Sequence, residues 1–284
     1  MKCRPLRAVA CVVVQSVALL APLTSRAQVD EPSPPSARIS LAGTWNVRLD
    51  PADVGVRDSW QSATFTDPLK LPSSLTENNI GEELSTATRW TGSIVDSSWF
   101  TEEKFAPYRQ PGNIKLPFWL TPQKHYVGPA WYQREILIPD TWEIKEVSLF
   151  LERAHWETRV WLDGTPAGVQ NSLCAPHEYA LGSIPPGRHI LVIRVDNRPK
   201  INVGRDAHSI CDHTQTNWNG MIGRLELRAY DPLRIADLQI YPDIQRRTVR
   251  IRCAVANASH GSMNVRLAFW HIRSTAPHNT SRLR

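Results

Sequence analysis

The sequence is poor in cysteine, and this excludes one class of exported protein. It has five cysteines in 284 residues, and Cys3 and Cys11 belong to an N-terminal segment that we expect to be removed. Cys174, Cys211 and Cys253 remain, so at most one intramolecular disulfide can form, and the sequence does not fix which two would pair. A small disulfide-built scaffold is therefore excluded, and the chain is long enough to fold around a hydrophobic core instead.

A long apolar run is also missing. The run at residues 8–20 is shorter than the ~20 residues that a membrane-spanning helix needs. It follows three basic residues and precedes small residues ahead of Gln28, which is the order found in export signals. We therefore predict a signal peptide over residues 1–27 and a mature protein that is periplasmic or extracellular and has no membrane span.

The positive charge of the chain is concentrated in that predicted signal peptide. The formal net charge is +6 at pH 7, but the signal peptide carries four basic residues and no acidic one. Its removal leaves 29 basic against 27 acidic residues. Because proteins that bind nucleic acid usually carry a basic patch, nucleic acid is not predicted as a partner.

Short apolar or alternating runs separated by turn residues fill the chain from Leu41 onward. No run has helical periodicity over a length that would make a dominant helix. The clearest predicted strands are residues 45–49, 131–138, 147–151, 158–162, 189–195 and 225–230. Asp163 and Gly164 follow one of them directly and suit a turn with positive φ. The pattern predicts an all-β fold that begins with a jelly-roll β-sandwich.

Composition divides the chain into five predicted segments. They are a signal peptide (1–27), a flexible Pro/Ser-rich lead-in (28–40), a jelly-roll domain (41–230), a truncated immunoglobulin-like sandwich (231–270) and an irregular tail (271–284). In the fourth segment, residues 235–241, 248–255 and 265–270 are predicted strands. A complete immunoglobulin-like sandwich needs roughly 100 residues and about seven strands, so this one is expected to be incomplete.

Residues 71–129 form an aromatic-rich stretch with little alternation. Irregular segments of this length are often functional. Trp90, Trp99 and Trp119 lie in it and are the candidates for exposed aromatic side chains, whereas Trp45, Trp131 and Trp161 lie in strand patterns and are expected in the core. Trp218 has two open interpretations, a core residue at the end of a strand or a flat surface for a sugar ring.

Four sequence motifs in a fixed order resemble one known family. They are residues 128–135 (GPAWYQRE), 159–164 (RVWLDG), 187–197 (GRHILVIRVDN) and 214–227 (TQTNWNGMIGRLEL). Together they resemble the N-terminal sugar-binding domain of glycoside hydrolase family 2, which includes β-galactosidases and β-glucuronidases. The start of an immunoglobulin-like domain after residue 231 is similar to the next domain of that family.

The resemblance implies an exported hydrolase that releases a terminal β-linked sugar by a retaining mechanism. That mechanism needs two carboxylates about 5 Å apart. In the family both lie on a (β/α)₈ barrel of ~250 residues, which this sequence does not contain. The resemblance therefore implies no catalytic residue, no cofactor and no metal ligand in this chain.

The resemblance also implies that a loop before the last strand contacts the terminal sugar of an oligo- or polysaccharide. Here that loop is residues 206–219, and we expect it to be exposed to solvent. Its candidate substrate-binding residues are Asp206, Asp212, His213, Gln215, Asn217, Trp218 and Asn219. Their amide, carboxylate and indole groups suit sugar hydroxyls and ring faces. His208, Cys211 and Asp212 have metal-ligand chemistry, but no zinc spacing accompanies them.

Two other hypotheses remain open at this point. The chain is either the non-catalytic part of such a glycosidase, a free-standing carbohydrate-binding module, or a purely structural sandwich. The gene sequence downstream of Arg284 would separate the first hypothesis from the others, because only a glycosidase needs a barrel. The sequence does not indicate which glycoside is the substrate, nor the oligomeric state.

Overall fold

The computed structural model describes residues 8–18, 33–94, 96–204, 206–208, 210–215, 217–259 and 264–267. These residues divide into two compact units. One comprises residues 37–229, and the other combines the described residues up to Ser36 with those from Tyr230 onward. Most of the regular structure is antiparallel β-sheet, which confirms the predicted all-β fold class.

The strands and helices have the following bounds. The strands are β1 (Ala8–Ala18), β2 (Ala37–Ser40), β3 (Gly43–Leu49), β4 (Asp67–Leu71), β5 (Ser73–Ser74), β6 (Pro129–Ile138), β7 (Glu146–His155), β8 (Glu157–Leu162), β9 (Thr165–Gln170), β10 (His177–Gly182), β11 (Gly187–Asp196), β12 (Gly220–Tyr230), β13 (Leu233–Asp243) and β14 (Thr248–Asn257). The helices are α1 (Ser98–Thr101), α2 (Asp212–Gln215) and the 3₁₀ turns Trp60–Ser62, Thr76–Asn78, Glu103–Arg109 and Asp140–Trp142.

The larger unit is a sandwich of two antiparallel sheets. One sheet has the strand order β4-β3-β6-β11-β8-β9, and the other has the order β10-β7-β12-β2 with β5 paired to β12. Alternate residues of both sheets point inward because successive side chains of a strand lie on opposite faces. Trp45, Tyr132 and Ile193 of the first sheet pack in one hydrophobic core with Leu149 and Leu227 of the second.

A second hydrophobic cluster covers the outer face of the six-stranded sheet. The Trp131 and Trp161 rings stack with their centroids 4.9 Å apart, and Phe65 and Val192 pack with them. The Trp131 indole donates a hydrogen bond to the carboxylate of Asp50 at 3.1 Å, which satisfies its one polar group. The centre of β11 is therefore buried on both faces, and this explains its continuous apolar run.

The aromatic-rich stretch 71–129 has a small core of its own. Trp99, Ile114 and Leu116 are buried in it, and Trp90 and Trp119 pack against them in half-buried positions. The expectation that Trp99 is exposed is wrong, because its side chain is 1% accessible and its indole donates to the Lys115 carbonyl at 2.6 Å. The stretch shows little alternation of apolar and polar residues, because most of it consists of loops that pack around this aromatic cluster.

A charged cluster lies at the end of β11. The Asp196 carboxylate is fully buried and accepts hydrogen bonds from Arg198 and Lys200, each at 2.6 Å, and from Arg194 at 3.2 Å. Asp53 accepts from Arg194 at 2.8 Å and from Arg198 at 2.6 Å. Burial alone would raise the pKa of Asp196, but the hydrogen bonds from Arg198 and Lys200 outweigh it and hold that pKa well below its usual value.

The His177 imidazole is buried in the larger unit with hydrogen-bonding atoms at both ring nitrogens. Its Nε2 atom lies 2.8 Å from the Ser172 carbonyl, and Nδ1 lies 2.6 Å from the Thr158 hydroxyl. Burial lowers the pKa of His177, and the Ser172 carbonyl opposes that shift only in part. The folded protein therefore holds His177 neutral at a pH where the unfolded chain already takes up a proton.

This burial predicts a loss of stability at mildly acid pH. A histidine whose pKa is depressed by folding stabilises the protein above its unfolded pKa of about 6.5 and loses that contribution as the pH falls. Urea unfolding at neutral and mildly acid pH should show a smaller acid-induced loss in His177→Gln than in the wild type. The comparison must be made between the two proteins, because hydrogen bonds to Asp163 and Pro185 overcome burial and raise the pKa of His189, which acts in the opposite direction. Equal losses in both proteins would contradict the prediction.

The smaller unit is a three-stranded antiparallel sheet with the order β1-β14-β13. The predicted strands 235–241 and 248–255 are confirmed as parts of β13 and β14. The third predicted strand, 265–270, is wrong in its described part, since residues 264–267 have no regular structure, and residues 268–270 lie outside the described residues. The predicted tail 271–284 also lies outside them. The apolar run of the predicted signal peptide forms β1 and pairs with β14 from Ala8 to Ala18.

The cysteines and the helices complete the description of the fold. Cys174 is exposed, and Cys211 and Cys253 are buried. None of the helices in the described part of the chain has the length and apolar character that crossing a lipid bilayer would require. Cleavage of the signal peptide and the predicted domain boundaries stay predictions.

Candidate functional site

The predicted substrate-binding loop connects β11 with β12 in the larger unit. Asp206 is exposed there, and its carboxylate accepts a hydrogen bond from the Ser93 backbone at 2.7 Å. Gln215 is the last residue of α2, and Thr216 lies outside the described residues. The loop is therefore joined to the aromatic-rich stretch that lies more than 100 residues earlier in the chain.

Asp212 is a buried cross-link between these two segments. Its carboxylate accepts hydrogen bonds from the backbone N–H of Thr91 at 2.6 Å and of Asn217 at 2.9 Å, and its own N–H donates to the Thr91 carbonyl at 2.9 Å. Its side chain is 1% exposed. The expectation of a solvent-exposed loop is therefore wrong at Asp212. Its carboxylate is buried because it accepts hydrogen bonds from two backbone N–H groups, those of Thr91 and Asn217.

Asn219 is buried as well, and its side-chain hydrogen bonds are all internal. The amide nitrogen donates to the carbonyls of Gly128 at 2.9 Å and Val195 at 3.1 Å, while the amide oxygen accepts from the Tyr132 hydroxyl at 2.8 Å. These partners lie at or beside β6 and β11, so Asn219 joins both strands to the start of β12. The predicted exposure is wrong here too, and Asn219 has a structural role.

Asn217 differs from Asn219 because one of its side-chain polar atoms has no hydrogen-bond partner among the described residues. Its amide nitrogen donates to the Thr91 hydroxyl at 2.8 Å, and its backbone N–H donates to Asp212. The amide oxygen Oδ1 is buried and has no hydrogen-bond partner among the described residues. Buried polar atoms are normally paired, so Asn217 Oδ1 is an exception among the described residues.

Trp218 is half-buried and is held from behind by His155, the last residue of β7. The two ring centroids are 5.1 Å apart with the planes inclined by 33°. His155 Nδ1 lies 2.8 Å from the Trp218 carbonyl, which fixes the backbone of the same residue. Trp218 lines a pocket and is not enclosed in the core, while its use as a flat surface for a sugar ring stays a prediction.

His213 lies on the other side of the loop. Its ring stacks on Trp119 with centroids 5.9 Å apart, and its Nδ1 atom is 3.9 Å from the Asp206 carboxylate, too far for a hydrogen bond. Cys211 is buried nearby with its Sγ atom 3.9 Å from His213 Nε2. Within the described ranges, no group of His, Cys, Asp and Glu side chains is arranged to hold a metal ion.

A pocket of about 260 Å³ opens beside Asn217 and Trp218. Its described lining residues are Ser74, Thr76, Pro122, Lys124, His125, Asn217, Trp218 and Ile222. The Thr76 hydroxyl donates to the Lys124 carbonyl at 2.7 Å and so fixes one wall. The pocket brings together two of the seven predicted site residues, Asn217 and Trp218. Asp206, Asp212, His213 and Asn219 do not line it.

Sequence reasoning missed Lys124 and His125. They lie in the aromatic-rich stretch, whose length and irregularity were a signal of function, but nothing in the local sequence distinguishes them. The His125 backbone pairs with Glu82, and its ring lies edge-on to Trp90 at 5.0 Å. Its Nε2 atom is buried, has no hydrogen-bond partner among the described residues, and lies 3.5 Å from Asp212 Oδ2.

The chemistry of this pocket favours a ligand that both donates and accepts hydrogen bonds. Its described lining residues include the hydroxyls of Ser74 and Thr76, the ammonium of Lys124 and the amide of Asn217, and these groups together donate and accept hydrogen bonds. Hydroxyl groups have both capacities, and the Trp218 ring offers an apolar surface beside them. The described lining residues include no carboxylate.

Comparison with known proteins gives distant structural likeness. No protein-family model matches the chain, and no curated protein does. The chain is similar to the β-glucuronidase from Ruminococcus gnavus in complex with D-glucaro 1,5-lactone, with 14% identity and a TM-score of 0.49 over 73% of this chain and 32% of that one. It is also similar to a β-glucuronidase from an uncultured Clostridium sp., with 14% identity and a TM-score of 0.48 over 80% and 34%. The chain thus spans about a third of these structures, and likeness at this identity does not define an activity.

Proposed function

We propose that this chain is the carbohydrate-facing, non-catalytic part of an exported glycoside hydrolase of family 2 that acts on β-linked sugars. In this proposal, hydrolysis with retention is carried out by carboxylates on another part of the protein. The observation that carries the proposal is the pocket that Trp218 and Asn217 line together with the polar residues Ser74, Thr76 and Lys124. The four motifs that resemble the family support it, since three residues of the last motif, Asn217, Trp218 and Ile222, line the pocket.

The size of the pocket supports a single sugar ring as its occupant. Pockets for drug-sized ligands have volumes of roughly 300–1,000 Å³, and this one, at about 260 Å³, lies just below that range. A pyranose presents C–H groups on one face and hydroxyls around its edge. The C–H groups suit the indole face of Trp218, and the hydroxyls suit the polar side chain of Asn217.

Removal of the Trp218 ring is expected to weaken binding of a methyl β-glycoside at least about tenfold, or roughly 1.4 kcal/mol, since an aromatic contact in a pocket contributes about that much. The measurement is isothermal titration of the chain with methyl β-glycosides of different configuration, comparing wild type and Trp218→Ala. Phe100→Ala is the matched control, because Phe100 is a 51% exposed aromatic residue outside the pocket. Failure of every glycoside to bind the wild type would overturn the proposal.

A free-standing carbohydrate-binding module is the second candidate function. It is favoured by one observation, namely that every described lining residue comes from the larger unit, so the pocket does not need another domain to close it. Aryl β-glycoside hydrolysis by the complete gene product, together with none by this chain, would support the glycosidase. Full glycan affinity with no hydrolysis by either would support the module. The N-terminal sequence of the secreted protein would test the proposed export.

A further inference from the structure

We propose that the Trp218 ring is held in its ligand-binding position before a ligand binds, and that His155 and Thr91 are the residues that position it. The inference rests on the proposed function, because it takes Trp218 as the ring that contacts the sugar. Neither His155 nor Thr91 is among the described lining residues of the pocket. Both are therefore positioning residues, which act on a ligand through residues 217 and 218.

His155 holds Trp218 from the five-stranded sheet. It is the last residue of β7, an inner strand of that sheet, and only 3% of the residue is exposed. Its Nδ1 atom lies 2.8 Å from the Trp218 carbonyl, and because a carbonyl oxygen only accepts, Nδ1 is the donor. The two rings also pack with their centroids 5.1 Å apart. His155 therefore fixes the backbone of Trp218 and limits the positions that its ring can take.

Thr91 holds the residue before Trp218. Its hydroxyl accepts a hydrogen bond from the Asn217 amide nitrogen at 2.8 Å. Its backbone N–H donates to the Asp212 carboxylate at 2.6 Å, and the other oxygen of that carboxylate accepts from the Asn217 backbone N–H at 2.9 Å. Asn217 is thus bound through both its side chain and its backbone, and Thr91 takes part in both connections.

These contacts fix the chain on both sides of the Trp218 side chain. The anchored groups are the N–H and the amide of Asn217, the carbonyl of Trp218 and the buried side chain of Asn219. Side chains occupy a few staggered rotamers, so a fixed backbone and a neighbouring ring leave Trp218 few alternatives. A binding residue that is already ordered loses little conformational freedom when a ligand binds, and this raises the affinity.

The order of the Trp218 ring can be measured without a ligand. The full chain is labelled with a fluorinated tryptophan, and the fluorine resonance of Trp218 is the one that is missing from Trp218→Phe. We expect this resonance to be a single narrow line in the wild type. His155→Asn removes the ring that packs on Trp218, and Thr91→Val removes the hydroxyl that holds Asn217, so the line should shift and broaden in both variants.

The same two variants should bind the methyl β-glycoside that the wild type binds best with a Kd about two- to tenfold higher, which corresponds to the cost of ordering one side chain on binding. Isothermal titration measures this change. Thr91→Ser keeps the hydroxyl and should restore the wild-type Kd. Thr88→Val is the matched control, because the Thr88 hydroxyl accepts from the Ser85 N–H at 2.9 Å within its own segment. It should leave the Kd and the fluorine line unchanged.

The outcomes separate this inference from the proposed function. Glycoside binding by the wild type, with a Trp218 resonance that is the same in His155→Asn and Thr91→Val, would overturn the positioning role alone. Several Trp218 lines in the ligand-free wild type would do so as well. Absence of glycoside binding by the wild type would overturn the proposed function and this inference with it. A broadened line and a raised Kd in Thr91→Val, both restored in Thr91→Ser, would establish the positioning role.

Discussion

The free energy of unfolding is expected to fall by about 3 to 5 kcal/mol when Asp196 is replaced by asparagine, which is the usual effect of breaking a buried ion pair from one side. Asp196 is fully buried, and the Arg194 guanidinium beside it is 4% exposed. Asparagine has nearly the same shape but no charge, so Arg194 and Lys200 would lose their buried carboxylate and keep only the more exposed Asp53, at 2.8 Å from Arg194, and Glu157, at 3.8 Å from Lys200. Urea unfolding followed by circular dichroism measures the loss.

Asp53→Asn is the matched control for this prediction. Asp53 bonds to Arg194 and Arg198, as Asp196 does, but its side chain is 38% exposed, so its loss should lower stability by about 1 kcal/mol or less. The two variants should also differ at acid pH. The pKa of Asp196 is lowered by folding, so its contribution is present above about pH 4 and is lost as the pH falls towards the folded value. If Asp196→Asn and Asp53→Asn lose the same free energy of unfolding and show the same dependence on acid pH, burial of the carboxylate does not determine its contribution to stability.

The strands that the sequence predicted are those at the centres of the sheets. Predicted strands 131–138, 158–162 and 189–195 are confirmed within β6, β8 and β11, each extended by one to three residues. These strands bury at least one face, so their apolar pattern follows directly from their position. The ends of the strands were less predictable, because backbone hydrogen bonds to the neighbouring strand hold the last residues in place whatever their side chains are.

The strands that the sequence missed are mostly at sheet edges. β4 and β9 are the two edges of the six-stranded sheet, and β2 and β10 are the edges of the other. Edge strands are short and tolerate proline, glycine and charge, because one side of the strand does not need to donate hydrogen bonds. Pro68 in β4 and Pro166 with Gly168 in β9 are examples. Local sequence favours turns at these positions, and only the neighbouring strand makes them extended.

The candidate site was predictable in location but not in the roles of its residues. The polar composition of residues 206–219 indicated hydroxyl partners, and the pocket does include Asn217 and Trp218. The partners that bury Asp212 and Asn217 are supplied by Thr91, which is 121 to 126 residues away in the chain. No local pattern encodes such a contact, so asparagines that face a pocket and asparagines that join strands look the same in sequence.

Asn219→Ala is expected to lower the free energy of unfolding by about 2 to 4 kcal/mol, because a buried polar group left without its partner costs about 1 to 3 kcal/mol. The substitution would leave the Tyr132 hydroxyl and the carbonyls of Gly128 and Val195 without the bonds that Asn219 supplies. Asn217→Ala, two residues earlier, removes a single side-chain hydrogen bond to Thr91 and an already unpaired oxygen, so its stability should fall by only about 1 kcal/mol. Thermal and urea unfolding of the two variants, alongside glycoside titration, give the comparison. A small stability loss in Asn219→Ala with a large loss of glycoside affinity would return Asn219 to the ligand site and contradict the structural role assigned to it.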